Sequence, residues 1–144
     1  MISTVERVLF LKGVDFFTEI PSELLVSVAR LAVEERFDTG AVVLREGDEG
    51  DCLYLVVEGR VAVVFEGREV AHLGPKECIG EMSLLDAEPR SATVVASDPT
   101  LCLRVDREPF HDLLAEHPEL ARGLISVLSR RLRTMLRDQR QTLV

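Results

Sequence analysis

The chain has 144 residues, 47% of them apolar and 29% charged, with a net charge of −8. That is one domain's worth of sequence with enough apolar residues for a hydrophobic core, and it excludes a disordered chain. No apolar run approaches the ~18 residues of a membrane-spanning helix, and no signal-peptide pattern opens the sequence. Residues 121–144 carry six arginines (122, 130, 131, 133, 137, 140) against Asp138, a net of +5, while the remainder holds 11 basic and 24 acidic residues. An acidic body disfavours nucleic acid as a general partner, and the basic tail reads as a solvated helix face. Cys52, Cys78 and Cys102 are odd in number, far apart and flanked by apolar residues. They read as reduced core residues of a cytoplasmic domain rather than as disulfide, redox or metal-binding groups.

In chain order, Ser3-Thr4-Val5-Glu6 fits a capping box, followed by a short helix before Gly13. Pro21 can start a second helix whose Leu24, Leu25, Val28, Leu31 and Ala32 recur on one face. From about Phe37 the pattern becomes short β-rich runs at Ala41–Leu44, Leu53–Val57, Val61–Phe65, Val70–Leu73, Ala92–Ala96 and Leu101–Val105, punctuated by glycine- and aspartate-bearing turns. Runs at this spacing predict a sandwich or barrel. Asp106 is placed to cap a helix through Arg107-Glu108-Pro109, His117-Pro118 breaks it, and a last helix runs to about Gln139.

The segment Ile79–Val94 concentrates the chemistry. Gly80 allows close backbone approach to a ligand, and Glu81 through Leu85 can form one helical turn whose free N–H groups favour an anion. Arg90 offers a planar fork of donors suited to a phosphate, and Glu81, acceptor-only when ionised, suits a ribose hydroxyl. These residues describe a pocket for a small phosphorylated sugar.

The run Ile79-Gly80-Glu81-Met82-Ser83-Leu84-Leu85, a four-residue loop, then Arg90-Ser91-Ala92-Thr93-Val94 resembles the phosphate-binding cassette of cyclic nucleotide-binding domains. Residues Gly40 to Val61 resemble the same family's β-roll signature, and the likeness spans roughly Phe10 to Arg137. It implies an α+β fold over residues 1–144, with N-terminal helices (about 3–32) and two C-terminal helices (about 107–140). Between them lies an eight-stranded antiparallel, jelly-roll-like β-roll or double-stranded β-helix (about 37–105). Glu81 would bond the ribose 2′-hydroxyl and Arg90 the cyclic phosphate. Ile79 and the backbone at Gly80, Met82, Ser83 and Ala92 would line that end, and Ser91 would offer a hydroxyl near the phosphate or base. By position, Leu132, Met135 and Leu136 would lie over the base. Cyclic AMP is favoured over cyclic GMP as the ligand, although Ser91, following Arg90, is compatible with both.

Other chemistries fare worse. A cupin-like metal site needs clustered ligands, whereas His72, His111 and His117 are scattered, with no His-x-His. His72 reads as a half-exposed strand residue and His117 as a cap. Ser83 and Ser91 lie in no Gly-x-Ser-x-Gly elbow, and Asp86 and Glu88 read as exposed loop residues, so no catalytic constellation emerges and no enzyme is expected. The competing reading is the sensor of a catabolite-activator-type regulator, whose helix-turn-helix would lie beyond the last helix; direct DNA binding by this chain is not expected. A degenerate roll serving protein interaction is the further alternative. On the last helix Ala121, Ile125, Leu128, Leu132 and Met135 form an apolar seam, widened by Leu120, Leu124, Val127 and Leu136. It suits a homodimer or the rest of a longer protein, or else packs wholly on the domain's own helices.

Overall fold

A computed structural model describes residues 1–143, with side chains described as far as residue 139. The start of the chain is set locally. The Ser3 hydroxyl accepts from the Glu6 amide at 3.2 Å and the Ser3 amide donates to the Glu6 carboxylate at 3.4 Å, satisfying donors that a helix start leaves unpaired. Helix α1 follows over Thr4–Lys12. A 3-10 turn at Asp15–Phe17 buries Phe16 and Phe17 edge to face. Helix α2 (Ser22–Leu31) begins after Pro21, which takes the N-cap position, and buries Leu25, Val28 and Ala29.

Eight antiparallel strands then build the roll: β1 (Val33–Phe37), β2 (Val42–Leu44), β3 (Cys52–Glu58), β4 (Val61–Phe65), β5 (Arg68–Leu73), β6 (Cys78–Ile79), β7 (Thr93–Ala96) and β8 (Thr100–Asp106). They form two four-stranded sheets, β1-β8-β3-β6 and β2-β7-β4-β5. A one-turn helix α3 (Met82–Leu85) separates β6 from β7, and α4 (Arg107–Glu116) and α5 (Pro118–Leu143) close the chain. The roll therefore starts at Val33, earlier than the hydrophobic pattern predicts. β1 carries Glu34, Glu35 and Arg36 in its middle, but Glu35 is ion-paired to Arg104 on β8 and accepts from the Tyr54 hydroxyl at 3.4 Å. Cross-strand pairing thus replaces the apolar alternation by which a strand is recognised.

Strand β3 is buried on both faces, which explains its unbroken apolar run. Its period of two sends Leu53 and Leu55 into the helical core with Phe16, Phe17, Phe110 and Leu124. It sends Cys52, Tyr54 and Val56 between the sheets with Val61, Val94 and Cys102. Cys52, Cys78 and Cys102 are all free thiols. Burial pushes the Cys102 thiol up to about 12 and raises Cys52 and Cys78 as well, so all three sit as protonated packing groups.

Two details of the C-terminal half differ from the sequence expectation. Asp106 occupies the N-cap of α4 but makes no capping bond, because its carboxylate accepts from Arg104 Nε at 2.9 Å. The basic face of α5 is also not wholly solvated. Arg130 pairs with Asp15 at 2.6 Å and Glu19 at 3.5 Å, and Arg131 pairs with Asp15 at 3.1 Å and Glu81 at 3.0 Å. The side chain of Arg140 lies outside the described residues. Leu120, Leu124 and Val127 bury α5 against the N-terminal turn, whereas Ile125 (60% exposed), Leu132 (56%) and Met135 (67%) face solvent. The wide stripe thus divides: Leu120, Leu124 and Val127 pack on the domain, Ala121 and Leu128 are half-buried, and Ile125, Leu132, Met135 and Leu136 are exposed.

Candidate ligand-binding site

The site grows from the crossover between β6 and β7. Leaving β6, Gly80 takes φ +74°, the left-handed region that favours glycine. A Cβ there would fall 2.2 Å from Arg90 Nη1, so the absence of a side chain lets the guanidinium lie against the backbone. Glu81 takes helical angles at the N-cap of α3, and the Ser83 amide donates to the Gly80 carbonyl at 3.1 Å. The turn thereby doubles back toward the Arg90 segment. That segment is pinned to the β2–β3 loop. The Arg90 amide donates to the Asp48 carbonyl at 2.8 Å, the Gly47 amide donates to the Arg90 carbonyl at 2.9 Å, and Glu49 bridges Pro89. From the other side, Arg107 at the start of α4 donates to the Gly50 and Asp86 carbonyls at 3.0 and 3.3 Å.

These elements enclose a cavity of about 440 Å³ lined by all eight cassette residues singled out from the sequence: Ile79, Gly80, Glu81, Met82, Ser83, Arg90, Ser91 and Ala92. Leu44, Val63, Leu73 and Val94 from the second sheet make its apolar wall. The cavity is therefore charged at one end and apolar at the other. Asp86 and Glu88 border it as exposed residues, as their loop position suggests.

Arg90 dominates the charged end. Its side chain is buried, with the residue 7% exposed, and Nη2 donates to the Cys52 carbonyl at 2.8 Å. Nη1 is buried without a hydrogen-bond partner among the described residues, and no carboxylate is paired with this guanidinium. A buried, unpaired cation is destabilising unless something compensates it. Glu81 lies at the same mouth, and its Oε1 accepts from Arg131 Nη1 at 3.0 Å. That contact is absent from the sequence reading, since Arg131 is 50 residues away on α5. The three expected lid residues, Leu132, Met135 and Leu136, are exposed on α5 and are not among the residues that line the cavity. His111 turns inward, with Nε2 2.8 Å from the Leu84 carbonyl, tying α4 to α3. His117 ends α4, as expected of a cap. His72 lies on β5 beside Glu69.

Comparison with known proteins agrees with this geometry. Residues 34–117 match the profile described as "Cyclic nucleotide-binding domain". The chain is 40% identical over 102 residues to a cyclic AMP receptor protein of Thermus thermophilus, covering 67% of this chain and 47% of that protein. It is 37% identical over 99 residues to a cGMP-dependent protein kinase of Toxoplasma gondii, covering 69% of this chain and 10% of the kinase. Among solved structures, the N-terminal domain of a transcriptional regulator from Streptomyces coelicolor superposes with a TM-score of 0.80 at 34% identity, covering 88% of this chain and 94% of that one. The chain spans between a tenth and just under half the length of the curated relatives it matches.

Proposed function

We propose that this chain, which belongs to the cyclic nucleotide-binding domain family, folds as one regulatory module that binds cyclic AMP in preference to cyclic GMP. Binding, not catalysis, is its activity. One observation carries the reading: the Arg90 guanidinium is buried in the wall of the cavity with Nη1 unpartnered among the described residues. A cyclic phosphate fits it, because its two exocyclic oxygens can accept from the planar, bidentate guanidinium fork. Glu81 at the same mouth takes the ribose 2′-hydroxyl, the backbone at Gly80, Met82, Ser83 and Ala92 lines the phosphate end, and Ser91 adds a hydroxyl. The apolar wall receives the base. Relatives named for cyclic AMP and for cyclic GMP both match the chain, and Ser91 after Arg90 is compatible with both ligands, so the order of the two affinities is what the titration below decides.

The signal is a shift in the population of α5. In the ligand-bound state its outer turns, with Leu132, Met135 and Leu136, fold over the base, a contact available only to the closed state. The exposed seam at Ile125, Leu132 and Met135 joins a second copy or the remainder of a longer protein. The setting is cytoplasmic, in keeping with three free thiols, and no helix among the described residues is long and apolar enough to cross a membrane.

Calorimetry with cyclic AMP, cyclic GMP and linear AMP tests the assignment. Cyclic AMP should bind one per chain at micromolar affinity or better, about −8 kcal/mol, ahead of cyclic GMP. Absence of heat from both cyclic nucleotides overturns it, and an equal response to linear AMP shows that the cyclic phosphate is not read.

A further inference from the structure

Arg131 reaches the ligand cavity from outside it. Its Nη1 donates to Glu81 Oε1 at 3.0 Å, while Nε and Nη2 grip Asp15 Oδ2 at 3.2 and 3.1 Å. Its guanidinium carbon stands 5.8 Å from the centroid of the buried Phe16 ring. The fork is therefore fixed from two polar sides and one aromatic face, an arrangement that uses the rigidity and flatness of arginine. Two of these three contacts, Asp15 and Phe16, belong to the 3-10 turn Asp15–Phe17, which carries buried core side chains.

Glu81 gains from this what a flexible carboxylate lacks. A glutamate has three rotatable bonds, and holding one rotamer for a ligand costs side-chain entropy. Arg131 engages only one of the two carboxylate oxygens, and that single bond orients the head group while Oε2 remains able to accept. Resting on the cyclic nucleotide reading above, we infer that Arg131 is a positioning residue for Glu81. It holds the carboxylate pre-oriented, and so sets how strongly the site discriminates a ribose 2′-hydroxyl from a 2′-deoxyribose. Arg131 and the ligand share Glu81; they do not compete for it. Asp15, in turn, orients Arg131.

The readout is a ratio of affinities. Cyclic AMP and 2′-deoxy cyclic AMP are titrated by calorimetry into the wild-type chain, Arg131→Met and Asp15→Asn, with the ligand-free melting temperature of each recorded. Methionine keeps an apolar stem against Phe16. The wild type should favour cyclic AMP by about tenfold or more, as expected for a hydrogen bond to a charged acceptor. In Arg131→Met that preference should fall at least about threefold, chiefly through weaker cyclic AMP binding. Asp15→Asn should lie between, and it decides the matter if the methionine variant does not fold. A merely structural role lowers affinity for both nucleotides alike, so an unchanged ratio overturns the inference while leaving the cyclic nucleotide assignment standing. Tighter cyclic AMP binding in Arg131→Met also overturns it, since Arg131 would then be a competitor for Glu81. If neither nucleotide binds the wild type, the underlying assignment falls and this inference with it.

Discussion

Gly80 and Arg90 are matched: the arginine Nη1 occupies the space where a side chain on Gly80 would begin, 2.2 Å from an added Cβ. Gly80→Ala therefore combines a left-handed backbone angle with a collision against a buried guanidinium. The left-handed angle alone costs about 1–3 kcal/mol. Urea unfolding should show a loss in that range, and calorimetry should show cyclic AMP affinity falling with it, because Arg90 must leave its place.

Removing Arg90 should separate binding from folding. In Arg90→Ala the ligand phosphate loses its partner in a desolvated site, so affinity should fall at least about a hundredfold, or several kcal/mol. Ligand-free stability should change little, because an uncompensated buried cation disappears along with one bond to the Cys52 carbonyl. Glu81→Ala should cost less affinity, as it loses one charge-assisted hydrogen bond to an uncharged hydroxyl. Calorimetry and thermal melts on both variants check the contrast; unchanged affinity in Arg90→Ala means the phosphate lies elsewhere.

Gly123 lies inside α5, where glycine ordinarily costs about 1 kcal/mol relative to alanine. Here an added Cβ would meet the Glu19 backbone carbonyl at 2.7 Å. The clash should outweigh the helix propensity, so Gly123→Ala should destabilise the chain by about 1–3 kcal/mol, measured by urea denaturation. A stabilising result would show that α5 can lift from the N-terminal turn at no cost.

The seam should act between molecules. Light scattering should show self-association of the wild type, whereas Ile125→Asp and Leu132→Asp should be monomeric. Because both positions are more than half exposed, their melts should stay within about 0.5 kcal/mol of wild type. A wild type that is monomeric with and without cyclic AMP, together with unchanged ligand affinity in both variants, removes the seam from the mechanism.

The thiols give a pH dependence of definite sign. Burial raises Cys52, Cys78 and Cys102, so above the ordinary thiol value of about 8.5 the unfolded chain ionises while the native chain stays protonated. The unfolded state then binds fewer protons, and stability is lost as pH rises, by up to about 1.4 kcal/mol per thiol per pH unit. Urea midpoints from pH 8 to 11 should decline, and Cys102→Ala should flatten that decline even where it lowers the starting stability.

The cassette was legible in the sequence because its demands are local: a glycine beside an acid, a turn, and an arginine before a strand, all within Ile79–Val94. The β-roll was legible for the same reason, through short apolar runs and turn residues. β1 escaped because Glu35 is satisfied by Arg104 from a strand some 69 positions away, and β6 because it has only two residues. Arg131 was invisible as a site residue, since its neighbours in sequence say only which face of a helix it shares. Its partners Asp15 and Glu81 become neighbours only through tertiary folding. The lid residues Leu132, Met135 and Leu136 were named by their position on the last helix, from the family likeness, because helical spacing alone does not say which way a stripe faces.

The adjacency of β1 and β8, with Val33 opposite Arg104 and Phe37 opposite Thr100, has a bearing on how the molecule is made. Among the described residues β1 pairs only with β8, so during synthesis it emerges unpaired until the ribosome has delivered almost the entire roll. Such distant pairings delay the rate-limiting step of folding relative to a chain of local contacts, and an unpaired edge is prone to aggregation while it waits. Glu34, Glu35 and Arg36 along that edge are the kind of charged residues that discourage a second nascent chain from adding to it. The polarity that hid the start of β1 from the hydrophobic pattern thus also protects it before its partner arrives.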